Sequence, residues 1–431
     1  MFDPYPKNSP ERDRWIVSRR LPRSPVDPFH PFAFLVEKER SDIGEIVSVA
    51  TIFLTNRECP WKCLMCDLWK NTLTEMVPIG AIPAQIDFAL AAMERSRTEV
   101  PPLSPREERV GREPERGEFL PHILLSPTLS SAEEEREEQK SDVARTDRLE
   151  ACPTARQIKL YNSGSFFDPN AIPVEDYGAI AERVRTFERV IVECHPALVN
   201  DRCLQFRDLL ASDGAFDNSA SLRTKPATTP PFPSPCPLPK ERGIGSPYWE
   251  ILSSLEGFPN LSDGSKLEVA MGLETANPEV LEKLNKRMTL ELFSRAAEFL
   301  RANDIALRVF ILVKPPFLDE AGGLYWAERS LDFAFKNGAS VASLIPTRPG
   351  NGALDALTEQ GLFSPPNLFT LERALDYGIG LNKGRVFVDL WDLERFSDCP
   401  QCFPRRAGRL RQMNLKQEIL PGIACGRCRG R

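Results

Sequence analysis

Nowhere does this chain string together the ~20 apolar residues that a membrane-crossing helix needs, which excludes a helical membrane protein. The opening Met-Phe-Asp-Pro-Tyr-Pro is neither basic nor followed by an apolar stretch, so it carries no sign of a secretory signal. There is no excess of positive charge either; the net charge of −6 argues, taken alone, against a nucleic-acid partner. What is there is ordinary globular material, 42% hydrophobic and 27% charged. Its 431 residues suit two or three domains, or one large α/β barrel with additions. Seven of the eleven cysteines fall in two metal-type groups rather than a disulfide framework, which predicts a reducing, cytoplasmic setting.

The first group is Cys59-Pro-Trp-Lys-Cys63-Leu-Met-Cys66, directly after the apolar run at 46–54. Three thiols in a C-x3-C-x2-C spacing can grip three irons of a cubane four-iron, four-sulfur cluster, which normally takes four thiolates. The fourth iron is then open to a chelating ligand. A zinc knuckle, or a ferredoxin-like fragment with another fourth ligand, is the plainer alternative. Ferredoxins, however, favour C-x2-C-x2-C, and zinc favours paired cysteines or a nearby histidine. The motif resembles that of the radical S-adenosylmethionine (SAM) superfamily. That resemblance implies that the open iron takes the amino and carboxylate groups of SAM, and that one electron cleaves SAM to a 5′-deoxyadenosyl radical.

Along the chain, residues 1–45 are proline-rich and charged and read as an irregular leader. Residues 46–56 read as a buried first strand and 81–95 as a first helix. From about 97 to 154, and again from about 218 to 263, Pro, Glu, Arg and Ser dominate. Both segments read as related disordered insertions, with Pro-Glu-Arg-Gly at 114–117 and Lys-Glu-Arg-Gly at 240–243. The remainder alternates strands (157–163, 189–195, 266–275, 305–314, 340–347) with helices. The clearest helix is 290–303, capped by Thr289. Six βα-type units predict an α/β fold, a partial (β/α)6 TIM-like barrel over 46–390 with its site at the carboxyl ends of the strands.

Buried parallel strands usually read as continuous apolar runs, but several here alternate. Val190, Val192 and Cys194 oppose Ile191, Glu193 and His195. Leu267, Val269, Met271 and Leu273 oppose Glu268 and Glu274, and the odd positions of 305–313 oppose Arg308 and Lys314. The apolar sets should pack on helices and the polar sets face a lumen. That lumen is either a polar cavity for SAM and substrate or an internal salt-bridge network. On the cavity reading Glu193, His195, Arg308 and Lys314 orient substrate or relay protons. Glu274 could hydrogen-bond ribose hydroxyls, and Asn162-Ser163-Gly164-Ser165 offers backbone to the methionine part of SAM.

A second group, Cys399-Pro-Gln-Cys402 and Cys425-Gly-Arg-Cys428, sits in a basic tail, 391–431. Two such pairs suit a closed tetrahedral zinc, with an auxiliary iron–sulfur cluster as the runner-up. From Cys399 onward eight basic residues, among them Arg405, Arg406, Arg409 and Arg411, face one acid, Glu418. Such a patch could hold RNA phosphates.

Leu160-Tyr-Asn-Ser-Gly-Ser-Phe-Phe-Asp168, Glu193-Cys-His-Pro196, Gly272-Leu-Glu-Thr275, Leu284-Asn-Lys-Arg-Met288 and Ile345-Pro-Thr-Arg-Pro-Gly-Asn-Gly352 together narrow the resemblance. They are similar to the branch holding the elongator catalytic subunit and, more closely, the archaeosine synthase radical SAM subunit. That implies tRNA as substrate, carbon–nitrogen cleavage of a lysine adduct on a deazaguanine base, and a lysine-transferring synthase subunit as partner. It also implies a reductase, flavodoxin or ferredoxin as electron donor. Met65 departs from the pattern, standing where many members carry an aromatic. A small metabolite or peptide substrate, and a non-catalytic iron–sulfur RNA-binding subunit, are the competing readings.

Overall fold

A computed structural model describes residues 4–98, 155–212 and 265–428. Both low-complexity segments, with Cys152 and Cys236, lie outside the described residues. The chain runs α1 (Ser9–Val17), β1 (Ala33–Arg40), β2 (Ile46–Leu54), α2 (Ala81–Thr98), β3 (Gln157–Asn162), α3 (Tyr177–Val184), β4 (Arg189–Glu193) and α4 (Asp201–Ala211). It continues with β5 (Lys266–Glu274), α5 (Pro278–Lys283), α6 (Leu290–Ala302), β6 (Ala306–Val313), α7 (Glu320–Lys336), β7 (Val341–Pro346), α8 (Ala353–Glu359), α9 (Leu368–Gly380), β8 (Arg385–Val388) and α10 (Phe403–Lys416). One curled sheet holds the strands in chain order; β2 to β8 are parallel and β1 returns antiparallel on β2.

The alternation read from the sequence sorts the two faces. Val190, Val192, Leu267, Val269, Met271, Leu273, Leu307, Val309 and Ile311 are buried in one apolar core against the helices. The α6 helix begins where expected, with Thr289 Oγ1 accepting from the Leu292 N–H at 3.1 Å, and it buries Phe293, Ala296, Ala297 and Leu300.

Three expectations are corrected. The sheet has two further strands: β8 is only four residues long, and β1 carries so many charges that its pattern is hidden. The leader is not irregular. Besides β1 it forms α1, whose Trp15 and Ile16 pack on Leu64 of the cysteine loop and on Leu354 and Leu357. Nor are residues 391–431 a separate module, because α10 closes the barrel's seam. Asn414 Oδ1 accepts from the Val388 N–H (2.9 Å) and its Nδ2 donates to Val388 O (2.8 Å). Gln417 does the same at Val386, at 2.7 and 2.9 Å. The side-chain amides thus satisfy the free edge of β8 as a ninth strand would. On the other side Arg385 donates to Arg40 O (2.7 Å), and Arg40 to Leu415 O (3.3 Å), tying β8, β1 and α10 together.

Candidate functional site

The cysteine loop leaves the carboxyl end of β2 and is suspended from several other strand ends. The Leu64 N–H donates to Leu284 O at 2.9 Å, and Asn285 Nδ2 donates to Lys62 O at 2.8 Å. From the far side Asn351 Nδ2 donates to Leu64 O at 2.8 Å and lies 3.3 Å from Cys66 O; its Oδ1 caps Leu354. The Trp61 ring stacks on His195, centroids 3.8 Å apart and planes 12° apart. Just before Cys59, Glu58 gathers Arg20 (2.8 Å), Arg23 and Lys62, which hold its carboxyl down at about 2 despite burial. Burial pushes the thiols of Cys59, Cys63 and Cys66 up, Cys66 to about 12.

Below the loop lies the turn after β3. Gly164 has φ +125°, and a Cβ there would overlap the Cβ of Cys59, so only glycine lets the turn meet the loop this closely. Asn56, fully buried, clamps the turn by accepting from the Ser163 N–H (3.3 Å) and donating to Ser163 O (3.4 Å). Both side-chain polar atoms of Asn162 are buried without a partner among the described residues, a costly arrangement that a polar ligand would relieve. The Asn162 N–H donates to Glu193 Oε2 at 3.1 Å, and burial raises the Glu193 carboxyl to about 8. Opposite, Glu274 has φ +64° at a β-bulge, which swings its carboxylate onto Lys286. Lys286 also donates to Gly272 O at 2.7 Å, and the missing side chain of Gly272 makes room for the pair. Burial opposes the Lys286 charge, yet Glu274 holds its pKa above the ordinary value.

The loop, the Asn162–Ser165 turn, Glu193 and Glu274 therefore come together at the mouth of the barrel. The other three residues expected there do different work. Arg308, 2% exposed, sits near the amino end of β6 and donates to Glu268 (2.6 Å) and Glu39 (2.5 Å); Lys159 meets Glu39 (2.6 Å) and Glu37 (2.9 Å). This network is a floor to the lumen, so the lower part of the polar lumen is an ion-pair network. Lys314 lies one residue past β6 with φ +52°, which turns it out of the lumen to Glu320 (3.0 Å) and Ser364 (2.7 Å). His195 has both nitrogens engaged. Nδ1 accepts from the Ala197 N–H at 3.1 Å, leaving Nε2–H to donate to Lys286 O at 3.0 Å. Burial and the Lys286 charge lower it to about 3, and its ring props Trp61. Asn56, Trp61, Lys286, Asn285 and Asn351 had no assigned role. The last four lie inside motifs already quoted, but their spacing along the chain does not show what they reach across the fold.

At the other end of the chain the sulfurs of Cys399, Cys402, Cys425 and Cys428 lie within 4.8 Å of one another, with Cys399–Cys425 at 3.9 Å and Cys402–Cys428 at 3.6 Å. Backbone N–H groups of Cys428 and Arg427 lower Cys425 to about 6, while burial raises Cys402 to about 11. The basic patch beside them is smaller than its sequence suggests. Arg406 and Arg409 are 4% and 6% exposed and ion-paired, Arg406 with Glu372 and Arg409 with Asp376 at 2.6 Å.

A curled parallel sheet with a three-cysteine loop at its mouth is the architecture that the resemblance to radical SAM enzymes implies. Sequence relatives bear out that resemblance. A 126-residue stretch is 29% identical to archaeosine synthase subunit beta of Methanosarcina acetivorans, covering 29% of this chain and 36% of that one. A 65-residue stretch is 40% identical to the subunit of the same name from Thermococcus kodakarensis, covering 15% and 20%. A protein of Methanocaldococcus jannaschii is 27% identical over 131 residues, covering 27% of this chain and 36% of that one. The matches thus span about a third of these relatives' length, or less. Among solved structures, coproporphyrinogen III oxidase of Escherichia coli, a radical SAM enzyme, aligns with 86% of this chain and 54% of its own at TM-score 0.34 and 9% identity. The archaeal Elp3 of Methanocaldococcus infernus aligns with 54% of this chain and 47% of its own at TM-score 0.34 and 10% identity. No protein-family model matches the chain. No helix among the described residues is long and apolar enough to cross a membrane.

Proposed function

We propose that this chain is a radical SAM enzyme acting on tRNA, cleaving a carbon–nitrogen bond in a lysine adduct of a deazaguanine base to leave an amidine, as in archaeosine formation. The observation that carries the chemistry is the suspended three-thiol loop meeting a turn with an unpartnered buried amide. Cys59, Cys63 and Cys66 would hold a four-iron, four-sulfur cluster, which when bound supplies the electron that splits SAM. The Asn162 amide and the backbone of Ser163, Gly164 and Ser165 would receive the methionine part. Glu274 gives one carboxylate oxygen to Lys286 and keeps the other for a ribose hydroxyl. Glu193, protonated below about pH 8, can donate a hydrogen bond or a proton at Oε1.

The relatives' name supports the tRNA substrate. On this reading a lysine-transferring synthase subunit acts first, and a flavodoxin, ferredoxin or reductase delivers the electron. We assign zinc to the four C-terminal thiols. A tetrahedral ion with ~2.3 Å bonds spaces its sulfurs roughly 3.8 Å apart; two of the six pairs here, at 3.6 and 3.9 Å, lie near that value and all lie within 4.8 Å.

The test is anaerobic. With SAM and dithionite the reconstituted protein should yield 5′-deoxyadenosine, and the C59A/C63A/C66A variant should yield none; product from the variant would sink the chemistry. Mass profiles of tRNA nucleosides, with and without the gene, test the substrate. A lysine adduct that accumulates without the gene is expected, and an unchanged profile would reject tRNA.

A further inference from the structure

Between the ion-pair floor and the Glu193–Glu274 level the lumen is lined by rings. Phe53 of β2, Tyr161 of β3 and Phe310 of β6 form a continuous edge-to-face row, with centroids 6.2 Å apart for Phe53–Tyr161 and 5.9 Å for Tyr161–Phe310. Trp391 extends the row across the seam to the mouth, 6.1 Å from Phe53. None of the four is buried, whereas the helix-side residues of the same strands are. Trp391 is 46% exposed although its backbone is pinned: its N–H donates to Asp389 Oδ1 at 3.0 Å and its carbonyl accepts from Arg348 at 2.7 Å. The Tyr161 hydroxyl makes no hydrogen bond among the described residues, and Tyr161 is the residue before Asn162, whose amide is also unpartnered.

We infer that this row is a slot for a planar nucleobase turned out of its strand, with Trp391 as the stacking platform at the entrance and the Tyr161 hydroxyl as a hydrogen-bond donor to the base edge. The chemistry selects that occupant. Trp391, exposed at the end of the row, offers a ring face on which a flat heterocycle stacks, and a base out of its stack needs such a face to replace those it leaves. The floor of paired charges limits how deep the ring can go. The row runs from the exposed Trp391 to Tyr161, the residue before Asn162 of the turn beneath the cysteine loop. The slot deepens the tRNA reading and rests on it.

Binding separates the two. The probe is tRNA purified from cells lacking the gene, with tRNA from gene-bearing cells as competitor, titrated into the full-length protein. W391A should weaken binding by about tenfold or more, W391F should stay within a few-fold of wild type, and Y161F should lose several-fold while keeping its ring. Quenching of tryptophan fluorescence on binding should be present in wild type and largely gone in W391F. Wild-type circular dichroism in each variant excludes misfolding. If the wild type prefers the unprocessed tRNA but W391A and Y161F bind it equally well, the slot is wrong and the tRNA reading stands. If the wild type shows no preference, the tRNA reading falls and the slot falls with it.

Discussion

His195 and Glu193 stand two residues apart at one strand end, and burial acts on them in opposite charge senses. Burial disfavours the charged form of each, so His195 is lowered from 6.5 to about 3 and Glu193 raised from 4.5 to about 8. The consequences for stability have opposite signs. Unfolded His195 takes up a proton below pH 6.5 that the folded residue refuses, so its contribution is lost as pH falls from 6.5 toward 3. Unfolded Glu193 releases a proton that the folded residue keeps, so its contribution is lost as pH rises from 4.5 toward 8. E193Q, which cannot ionise, should therefore gain melting temperature over wild type progressively across pH 4.5 to 8 and by a constant amount above it. H195Q should gain on wild type as pH falls below 6.5. Thermal unfolding against pH reads both.

At the scale of elements, the faces of the strands were legible and the heights along them were not. Period-2 alternation assigns Arg308 to the lumen correctly, because side-chain direction depends only on parity. Its function depends on its being third along β6, where Glu39 of the unforeseen β1 meets it. Lys314 has lumen parity too, and a single left-handed residue takes it out. The three thiols were legible because metal ligands obey spacing rules. Their supports were not, because Asn285 and Asn351 act across the fold rather than along the chain. R308M should cost about 3–5 kcal/mol by stranding buried carboxylates, seen as a lower melting temperature with SAM affinity unchanged. N351A removes a buried donor, at about 1–3 kcal/mol, and should lower iron per chain on reconstitution while zinc content holds.

The whole molecule is a curl whose seam is closed by its own C-terminal segment. Arg409 donates to Leu420 O at 2.7 Å, so the segment that brings Cys425 and Cys428 back to Cys399 and Cys402 is laced to α10. Metal at the four thiols should therefore stabilise the barrel as well as the tail. C425S/C428S should lose one zinc per chain and several degrees of melting temperature. Amide exchange should rise at Val386 and Val388, whose N–H groups rest on α10. Unchanged exchange at β8 would mean that the seam holds without the metal.

The suspension of the cysteine loop also sets a timetable. Leu64 emerges early in synthesis, but the Asn351 that holds it lies 287 residues later in the chain. At about 5–20 residues per second the ribosome needs roughly 15–60 s to deliver that partner. Leu284 arrives earlier, but until residue 351 has been made the loop lacks the support of Asn351. The proposed iron–sulfur centre would therefore gain its full support only after β7 and Asn351 have been made.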